Sequence, residues 1–244
     1  MKTVSIIIPV YNEEKTIIEL IKKVMNVDII ELNLEKEIIV VDDGSTDKTP
    51  FLLQQVRKEY KKIIISTHEK NKGKGSAIRT GISKASGEII LIQDADLEYD
   101  PQEYIGLLEP FKDKHINVVY GTRYKISSMN QKNNLKLKYC GVYGLAYAGG
   151  RVLTGITNVL YHANISDEAT CYKAFRTEVL KNLNLHCEKF EFCPEVTAKV
   201  LKKGYKIIEV PISYNPRTYS EGKKINYKDG FEAIWTLIKH RFID

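Results

Sequence analysis

Short runs of β-branched and other apolar residues alternate with amphipathic segments through the first half of this chain. Five such runs are typical of strands: residues 4–9, 37–42, 63–66, 88–93 and 117–120. The segments between them carry apolar residues at helical spacing, as at Ile17, Leu20, Ile21 and Val24. Strands that alternate with helices connect by right-handed crossovers. The sequence therefore predicts an α/β fold with a doubly wound, mostly parallel sheet and helices on both faces.

Three helix starts are predicted from capping residues. Asn12 should cap a helix that runs to about residue 25, and Thr46 or Asp47 should cap the next one. Asp100, followed by a proline and a glutamate, has the pattern of a helix N-terminus. Residues 74–85 are predicted as a further helix.

The second half of the sequence is less regular. Apolar residues recur at helical spacing between 142 and 160, and residues 192–203 and 229–242 read as two more helices. Residues 206–214 read as a strand. We expect a single domain over residues 1–244, divided into a first half (1–98), a second half (99–228) and a C-terminal amphipathic helix (229–244).

Several features predict a protein of the cytoplasm. No stretch approaches 18 consecutive apolar residues, so no membrane-spanning helix is expected. The N-terminus lacks the pattern of a signal peptide. The 4 cysteines show no C-x-x-C spacing, which argues against a zinc site or a disulfide framework.

Positive charge is concentrated in one segment of the chain. No acidic residue occurs between Asp113 and Asp167, whereas this stretch holds seven Lys and Arg residues, among them Arg123 and Arg151. The rest of the chain is close to neutral. A basic segment on a near-neutral body indicates an anionic partner: phosphates, a membrane surface or nucleic acid. Nucleic acid is the least favoured because no motif for reading bases accompanies the segment.

Polar residues follow four of the predicted strands, and the ends of parallel strands meet at one edge of a sheet. Asp94 and Asp96 come directly after the buried strand 88–93. Two carboxylates so close together favour a bound cation, and carboxylate oxygens suit Mg²⁺ or Mn²⁺ when a substrate diphosphate completes the coordination. Glu98 is a possible third, weaker ligand.

A glycine-rich loop at residues 71–76 precedes the predicted helix 74–85. Gly73 permits close approach of the backbone, and a helix N-terminus favours phosphate. Lys72 and Lys74 are therefore candidate phosphate contacts, although each is equally consistent with a solvated turn. The loop is neither a P-loop nor a dinucleotide-binding fingerprint.

The motifs at residues 7–13, 41–47, 71–81 and 94–97 resemble, in this order, those of the family 2 glycosyltransferases, which have the GT-A fold. The similarity continues through residues 121–124, 170–176 and 209–212. The later motifs are similar to the branch that includes dolichyl-phosphate mannose synthase and the bacterial polyprenyl-phosphate hexosyltransferases.

This resemblance implies roles for individual residues. Residues 1–98 would bind the nucleotide-sugar and the metal, and residues 99–228 would bind the acceptor. Asp94 and Asp96 would hold Mg²⁺ or Mn²⁺ on the donor diphosphate, and Arg123 and Arg217 would contact phosphates. The remaining substrate-binding candidates are Pro9, Tyr11, Glu13, Asp42, Asp43, Lys72, Gly73, Lys74, Arg79, Arg151 and Lys223. The assignments of Lys223 and Lys224 are weaker than the others.

The acceptor is open between two classes. A hydroxyl of a glycan or glycolipid needs a general base, for which Asp167, Glu191 and Glu195 are the candidates. A polyprenyl or dolichyl phosphate is already anionic and needs cations instead, which Arg123, Arg151 and Arg217 provide. The cations favour the second class, with Asp96, Arg123, Asp167 and Arg217 as the catalytic set. A non-catalytic sensor is disfavoured, since the acid pair is costly to keep.

Two apolar surfaces extend this prediction to a membrane. Tyr139, Tyr143, Tyr147 and Arg151 form a stripe at steps of four residues, and the C-terminal helix carries an apolar face. Such faces either lie on a membrane interface or pack against the sheet or another subunit. We expect a peripheral protein at the inner face of the membrane, with a homo-oligomer or a membrane-embedded partner as open alternatives.

Overall fold

A seven-stranded sheet lies at the centre of the computed structural model, which describes residues 2–124, 144–217 and 227–243. In chain order, the strands are β1 (Lys2–Val10), β2 (Leu34–Asp42), β3 (Ile64–Thr67), β4 (Ile89–Ile92), β5 (Val118–Thr122), β6 (Lys173–Arg176) and β7 (Ile207–Pro211). Their order in the sheet is β3-β2-β1-β4-β6-β5-β7. Neighbouring strands run parallel except β6, which is antiparallel to both β4 and β5. The predicted mostly parallel α/β sheet is confirmed.

Helices cover both faces of the sheet. They are α1 (Ile17–Asn26), α2 (Thr49–Glu59), α3 (Lys74–Lys84), α4 (Tyr104–Leu108), α5 (Gly144–Tyr161), α6 (Thr177–Lys181), α7 (Phe192–Lys202) and α8 (Tyr227–Phe242). Ile6 and Ile8 of β1 pack in the core shared with α1, α2 and α4, whereas Ile7 packs in the core shared with α3, α6 and α7. Strands buried on both faces explain the continuous apolar runs in the sequence.

Helix α5 packs against α7 and α8 beside the sheet. Leu153 and Tyr161 of α5 share a small core with Ala198, Ala233 and Leu237. The Tyr161 hydroxyl donates a hydrogen bond of 2.6 Å to the Leu237 carbonyl. One face of α5 is therefore packed. Two members of the predicted tyrosine stripe, Tyr139 and Tyr143, lie outside the described residues.

The predicted cap at Asn12 is wrong. Helix α1 begins at Ile17, and Asn12 has a left-handed φ of 50°. Its side-chain oxygen accepts a hydrogen bond of 2.8 Å from the Thr46 backbone, so Asn12 joins the loop after β1 to the loop after β2. The cap at Asp100 is confirmed, since its carboxylate accepts from the Gln102 N–H, although the first turn is a 3₁₀ helix.

Strand β6 was not predicted as a strand. It has only four residues, and its first residue, Lys173, is fully buried. The Lys173 ammonium lies 3.9 Å from the centre of the Tyr120 ring and donates to the carbonyls of Glu168 and Thr170. A cation–π contact and two carbonyls offset the cost of burying the charge.

Within the described part of the chain, no helix combines the length and the apolar character needed to cross a bilayer.

Candidate active site

A cleft of about 690 Å³ opens where β1, β2 and β4 end. The loops that follow these strands supply most of its polar lining, as expected for an open parallel sheet. Of the predicted site residues, the cleft is lined by Pro9, Tyr11, Glu13, Asp43, Lys72, Gly73, Lys74, Asp94, Asp96, Glu98, Arg123 and Arg217. The structure thus brings together residues that are up to 208 positions apart in the chain.

Asp43 holds the glycine-rich loop in place through hydrogen bonds to the backbone of the loop. Its Oδ1 accepts a hydrogen bond of 2.9 Å from the Lys72 N–H, and its Oδ2 accepts one of 2.7 Å from the Gly73 N–H. The His68 ring nitrogen Nδ1 lies 2.6 Å from Oδ1. Because both oxygens are engaged within the protein, Asp43 fixes the position of Lys72 and Gly73 at the rim.

The N-terminus of α3 is closed by the protein itself. The Gly75 N–H donates to the Lys189 carbonyl at 2.8 Å, and the Ser76 N–H donates to the Glu188 carbonyl at 2.9 Å. These two N–H groups are the ones that a phosphate at the helix terminus would use. The expectation of a phosphate at this helix N-terminus is corrected, and the loop's positive charge comes from its lysines.

Lys74 and Asp94 form an ion pair of 2.5 Å at the floor of the cleft. The Lys74 ammonium also lies 3.1 Å from the Cys171 sulfur. Burial would lower the pKa of Lys74, but the charge and hydrogen bond of Asp94, together with the nearby Cys171 and Cys193, outweigh burial and raise this pKa well above its usual value. Lys74 is therefore a fixed positive charge on the first residue of α3.

Asp96 lies in a cluster of carboxylates that Arg217 spans. The Arg217 guanidinium donates to Asp96 Oδ2 at 3.0 Å and to both oxygens of Glu13, at 3.1 and 3.3 Å. Even so, burial and the neighbouring charges of Asp94 and Glu98 raise the pKa of Asp96 to about 7. Arg217 thus leaves negative charge uncompensated at this end of the cleft, and a further cation would be favoured there.

The described residues contain no group of three His, Cys, Asp or Glu side chains placed to hold a metal ion together. Asp94 and Asp96 line the same cleft, and a substrate diphosphate commonly supplies the remaining oxygens around Mg²⁺. The residues therefore fit a divalent ion that is shared with a phosphate ligand. Glu98 also lines the cleft, with its carboxylate hydrogen-bonded to Tyr214 and Arg217.

Arg123 follows the end of β5 and is held by Asp167. Its Nε and NH2 groups each donate to the Asp167 carboxylate at 2.7 Å, and its own N–H donates at 3.0 Å. Burial would lower the pKa of Arg123, but the charge and hydrogen bonds of Asp167, together with the nearby Tyr99 and Tyr124, raise this pKa well above its usual value. The guanidinium carbon lies 4.9 Å from the centre of the Tyr214 ring. Arg123 is thus a rigid cation at the wall of the cleft.

The three candidate general bases each accept hydrogen bonds from groups within the protein. Asp167 is fully buried, accepts hydrogen bonds from Arg123 and is absent from the cleft lining, and its place in the catalytic set stays a prediction. Glu195 accepts hydrogen bonds from the N–H groups of His186 and Cys187. Glu191 likewise accepts from the N–H groups of Glu188 and Lys189. These two glutamates hold the rim segment at residues 186–189.

Three of the predicted substrate contacts, Asp42, Arg79 and Arg151, are not among the residues that line the cleft. Asp42 is buried and accepts from the Ser45 N–H at 3.0 Å. Arg79 donates to the His186 carbonyl at 3.3 Å, on the outer side of α3. Arg151 donates to the Ser166 carbonyl at 2.9 Å. The predicted contacts of Asp42, Arg79 and Arg151 with substrate stay predictions. Lys223 and Lys224 lie outside the described residues.

Sequence reasoning missed several cleft residues from the second half of the chain. They are Tyr99, Cys171, Glu188, Lys189, Phe190, Tyr214 and Asp229. Tyr99 and Tyr214 lie in the segments after the parallel strands β4 and β7, whereas the others reach the cleft through tertiary packing alone. Hydrogen bonds from the N-terminus of α3 to the carbonyls of Glu188 and Lys189 bring residues 188–190 to the rim of the cleft.

Comparison with known sequences agrees with the geometry of the site. The sequence profile of the family described as "Glycosyl transferase family 2" matches residues 5–183. A dolichol-phosphate mannosyltransferase of Pyrococcus furiosus is 31% identical over 90% of this chain, and the chain spans 58% of that relative. A UDP-N-acetylglucosamine–dolichyl-phosphate N-acetylglucosaminyltransferase of Methanococcus voltae is 30% identical over 97% of this chain and 95% of that protein.

Among solved structures, a similar one is glucosyl-3-phosphoglycerate synthase from Mycobacterium tuberculosis in complex with Mn²⁺, UDP and phosphoglyceric acid. The match covers 100% of this chain and 80% of that one, with a TM-score of 0.68 and 17% identity. This likeness shows the GT-A fold. With the family match over most of the chain, it identifies the protein as a glycosyltransferase that belongs to glycosyl transferase family 2.

Proposed function

We propose that this glycosyltransferase moves a hexose, with inversion, from a nucleotide-sugar to a polyprenyl or dolichyl phosphate. One observation carries the proposal: the acid pair Asp94 and Asp96 and the cations Arg123 and Arg217 line one cleft. The acids suit a metal-bound donor diphosphate. The arginines suit a second phosphate, which must approach the donor against charge repulsion.

On the donor side, Pro9, Tyr11 and Glu13 are proposed to line the nucleoside pocket, with Lys72 and Lys74 near the phosphates. Asp94 and Asp96 would hold Mg²⁺ or Mn²⁺. When bound, the ion would neutralise charge that develops on the departing nucleoside diphosphate. Asp43 is proposed to act indirectly, because it fixes the loop that presents Lys72 and Gly73.

On the acceptor side, the engagement of the three predicted bases within the protein supports a phosphate acceptor. Asp167, Glu191 and Glu195 accept hydrogen bonds from Arg123 or from backbone N–H groups. A lipid phosphate needs no deprotonation at neutral pH, and its oxygen can attack the sugar directly. A single displacement of this kind inverts the anomeric centre, and Arg123 orients the incoming phosphate.

The names of the two relatives support a lipid phosphate as the acceptor but differ in the sugar that is transferred. Both act on dolichyl phosphates by their names, one as a mannosyltransferase and the other with a UDP-N-acetylglucosamine donor. GDP-mannose and UDP-glucose are the donors proposed here. Because the two relatives differ in their sugar, the nucleobase and sugar must be tested as a panel.

A membrane surface is the proposed site of action, at its cytoplasmic face. Helix α8 exposes Phe231, Trp235 and Phe242, and α5 exposes Val152 and Val159. The same two helices pack on each other. Asp229 at the start of α8 lines the cleft, so the exposed apolar surface adjoins the place where a lipid-linked acceptor must enter.

The test is incubation of the purified protein with Mg²⁺ or Mn²⁺, a short polyprenyl phosphate and a panel of UDP- and GDP-sugars. Mass spectrometry should detect a lipid-phosphate-sugar with one donor, and Asp94→Asn should abolish it. Transfer to a glycan or glycolipid hydroxyl with no lipid-phosphate product would replace the proposed acceptor. Metal-dependent donor binding without any transfer would favour a sensor.

A further inference from the structure

Residues 213–217, here called the strap, follow β7 and lie along the segment that follows β4. Alternate N–H groups of the strap donate to this segment. The Ser213 N–H donates to Glu103 Oε1 at 3.1 Å, the Asn215 N–H to the Glu98 carbonyl at 2.9 Å, and the Arg217 N–H to Glu98 Oε1 at 2.9 Å. This alternation is the pattern of an extended chain, which Pro216 also favours in the residue before it.

Glu98 makes the most contacts of the strap's two acidic anchors. Its Oε2 accepts a hydrogen bond of 2.8 Å from the Tyr214 hydroxyl, and its Oε1 also lies 3.8 Å from Arg217 Nε. Both carboxylate oxygens and the backbone carbonyl of Glu98 thus hold the strap. A carboxylate occupied in this way is poorly placed to serve as the third metal ligand that the sequence indicated.

The strap in turn positions two cations of the cleft. Arg217 is its last residue, and its guanidinium reaches Asp96 and Glu13. The Tyr214 ring packs on the guanidinium of Arg123 at 4.9 Å and on the Tyr99 ring at 5.3 Å. Glu98 therefore contacts Arg217 directly and is linked to Arg123 through Tyr214.

We propose that Glu98 is a positioning residue that anchors the strap and thereby places Arg123 and Arg217, instead of serving as a metal ligand. The inference rests on the proposed function only for what the two arginines bind, namely the phosphate of the acceptor. The anchoring itself is independent of the reaction. It can be measured on the protein without substrate turnover.

The test compares Glu98→Ala, Glu98→Gln and Tyr214→Phe with Glu109→Ala, a control whose side chain is 62% exposed on the surface. The first measurement is the initial rate of tryptic cleavage after Arg217, relative to other tryptic sites, followed by intact mass. The second is Mn²⁺ affinity by electron paramagnetic resonance, with UDP and separately with GDP. Thermal unfolding shows that each variant is folded.

Glu98→Ala is expected to raise cleavage after Arg217 about tenfold, because it removes two hydrogen bonds to a carboxylate. Glu98→Gln keeps one acceptor oxygen and Tyr214→Phe removes one bond, so both should give smaller increases. Mn²⁺ affinity should stay within about twofold of the wild type in all variants. A large fall in Mn²⁺ affinity in Glu98→Ala, or unchanged cleavage in both Glu98→Ala and Tyr214→Phe, overturns the proposal.

Kinetics separate this proposal from the proposed function. If the lipid-phosphate product forms, Glu98→Ala should raise the KM for polyprenyl phosphate about tenfold and leave the KM for the donor nearly unchanged. Glu98→Gln should restore most of the loss. An equal rise in both KM values overturns the positioning role. If no lipid product forms with the wild type, the cleavage and Mn²⁺ measurements still decide whether Glu98 anchors the strap.

Discussion

The two sides of the cleft are held in place differently. On the donor side, Lys72 and Gly73 are fixed by Asp43, and Lys74 begins a helix, so short loops after parallel strands set the geometry. On the acceptor side, Arg123 and Arg217 depend on side chains distant in the sequence, such as Asp167. Substitutions on the donor side should therefore reduce kcat, and those on the acceptor side should mainly raise the acceptor's KM.

Asp96→Asn should give the largest effect. Loss of a carboxylate proposed to hold the metal would remove charge stabilisation of the leaving group, and kcat should fall by about 10³-fold. Product formation with a fixed donor and polyprenyl phosphate measures this. Glu31→Gln, at an exposed position far from the cleft, is the control. A variant that keeps more than a tenth of wild-type activity would contradict the donor-side role.

Asp167→Asn tests whether the acceptor side contains a base. Asparagine keeps part of the hydrogen bonding to Arg123 but loses the charge, so kcat/KM for the acceptor should fall by about 10²-fold. The shape of the pH–rate profile should stay as in the wild type. If the acidic limb of the profile disappears with Asp167→Asn, Asp167 is the base and the acceptor is a hydroxyl.

Gly73→Ala should destabilise the donor-side loop. Gly73 has a φ of 95°, and a Cβ there would collide with the Glu188 carbonyl. The free energy of unfolding should fall by about 1–3 kcal/mol. In Gly106→Ala, a control in α4 with open space around it, the added methyl should stabilise the protein by about 0.5 kcal/mol. Urea denaturation compares the two; equal changes would mean that the loop adapts.

Glu168→Gln tests the buried carboxyl group behind the acceptor side. Burial raises the pKa of Glu168 to about 8, although Lys173 opposes the shift. The folded protein therefore keeps a proton that the unfolded chain releases. Wild-type stability should fall between about pH 5 and pH 8, by on the order of 1 kcal/mol per pH unit. Urea denaturation of Glu168→Gln should show a flatter dependence; an identical slope would assign the effect elsewhere.

Phe231→Ala should give the smallest effect, on membrane binding. Trp235 is the single tryptophan of the chain and is 58% exposed, so its fluorescence reports contact of α8 with lipid. Vesicles of phosphatidylcholine with anionic lipid should shift the emission to shorter wavelength, and Phe231→Ala should weaken binding a few-fold. Phe51→Ala, an exposed phenylalanine on α2, is the matched control. An unshifted emission would contradict the proposal that α8 binds to a lipid surface.

The comparison also explains how far the sequence could predict the molecule. The strands β1 to β4 and the residues after them were predicted within a few positions, because apolar runs and adjacent polar loops are local patterns. Strand β6 was not predicted because it begins with a charged residue, Lys173. The burial of Lys173 depends on Tyr120 and on carbonyl groups that only the fold brings close. The contacts of Arg79 with His186 and of Asp167 with Arg123 likewise depend on the tertiary fold. The division of the chain at residues 98 and 228 stays a prediction.

The sheet cannot be completed before the antiparallel strand β6 has been synthesised. This strand lies between β4 and β5, so β4 keeps one open edge while the ribosome is still making the residues up to Lys173. The edge belongs to the run Ile89–Ile92, which is entirely apolar and offers unpaired backbone groups to any other strand. A nascent or truncated chain that ends before β6 would expose this edge, so protection from self-association arrives only when β6 docks.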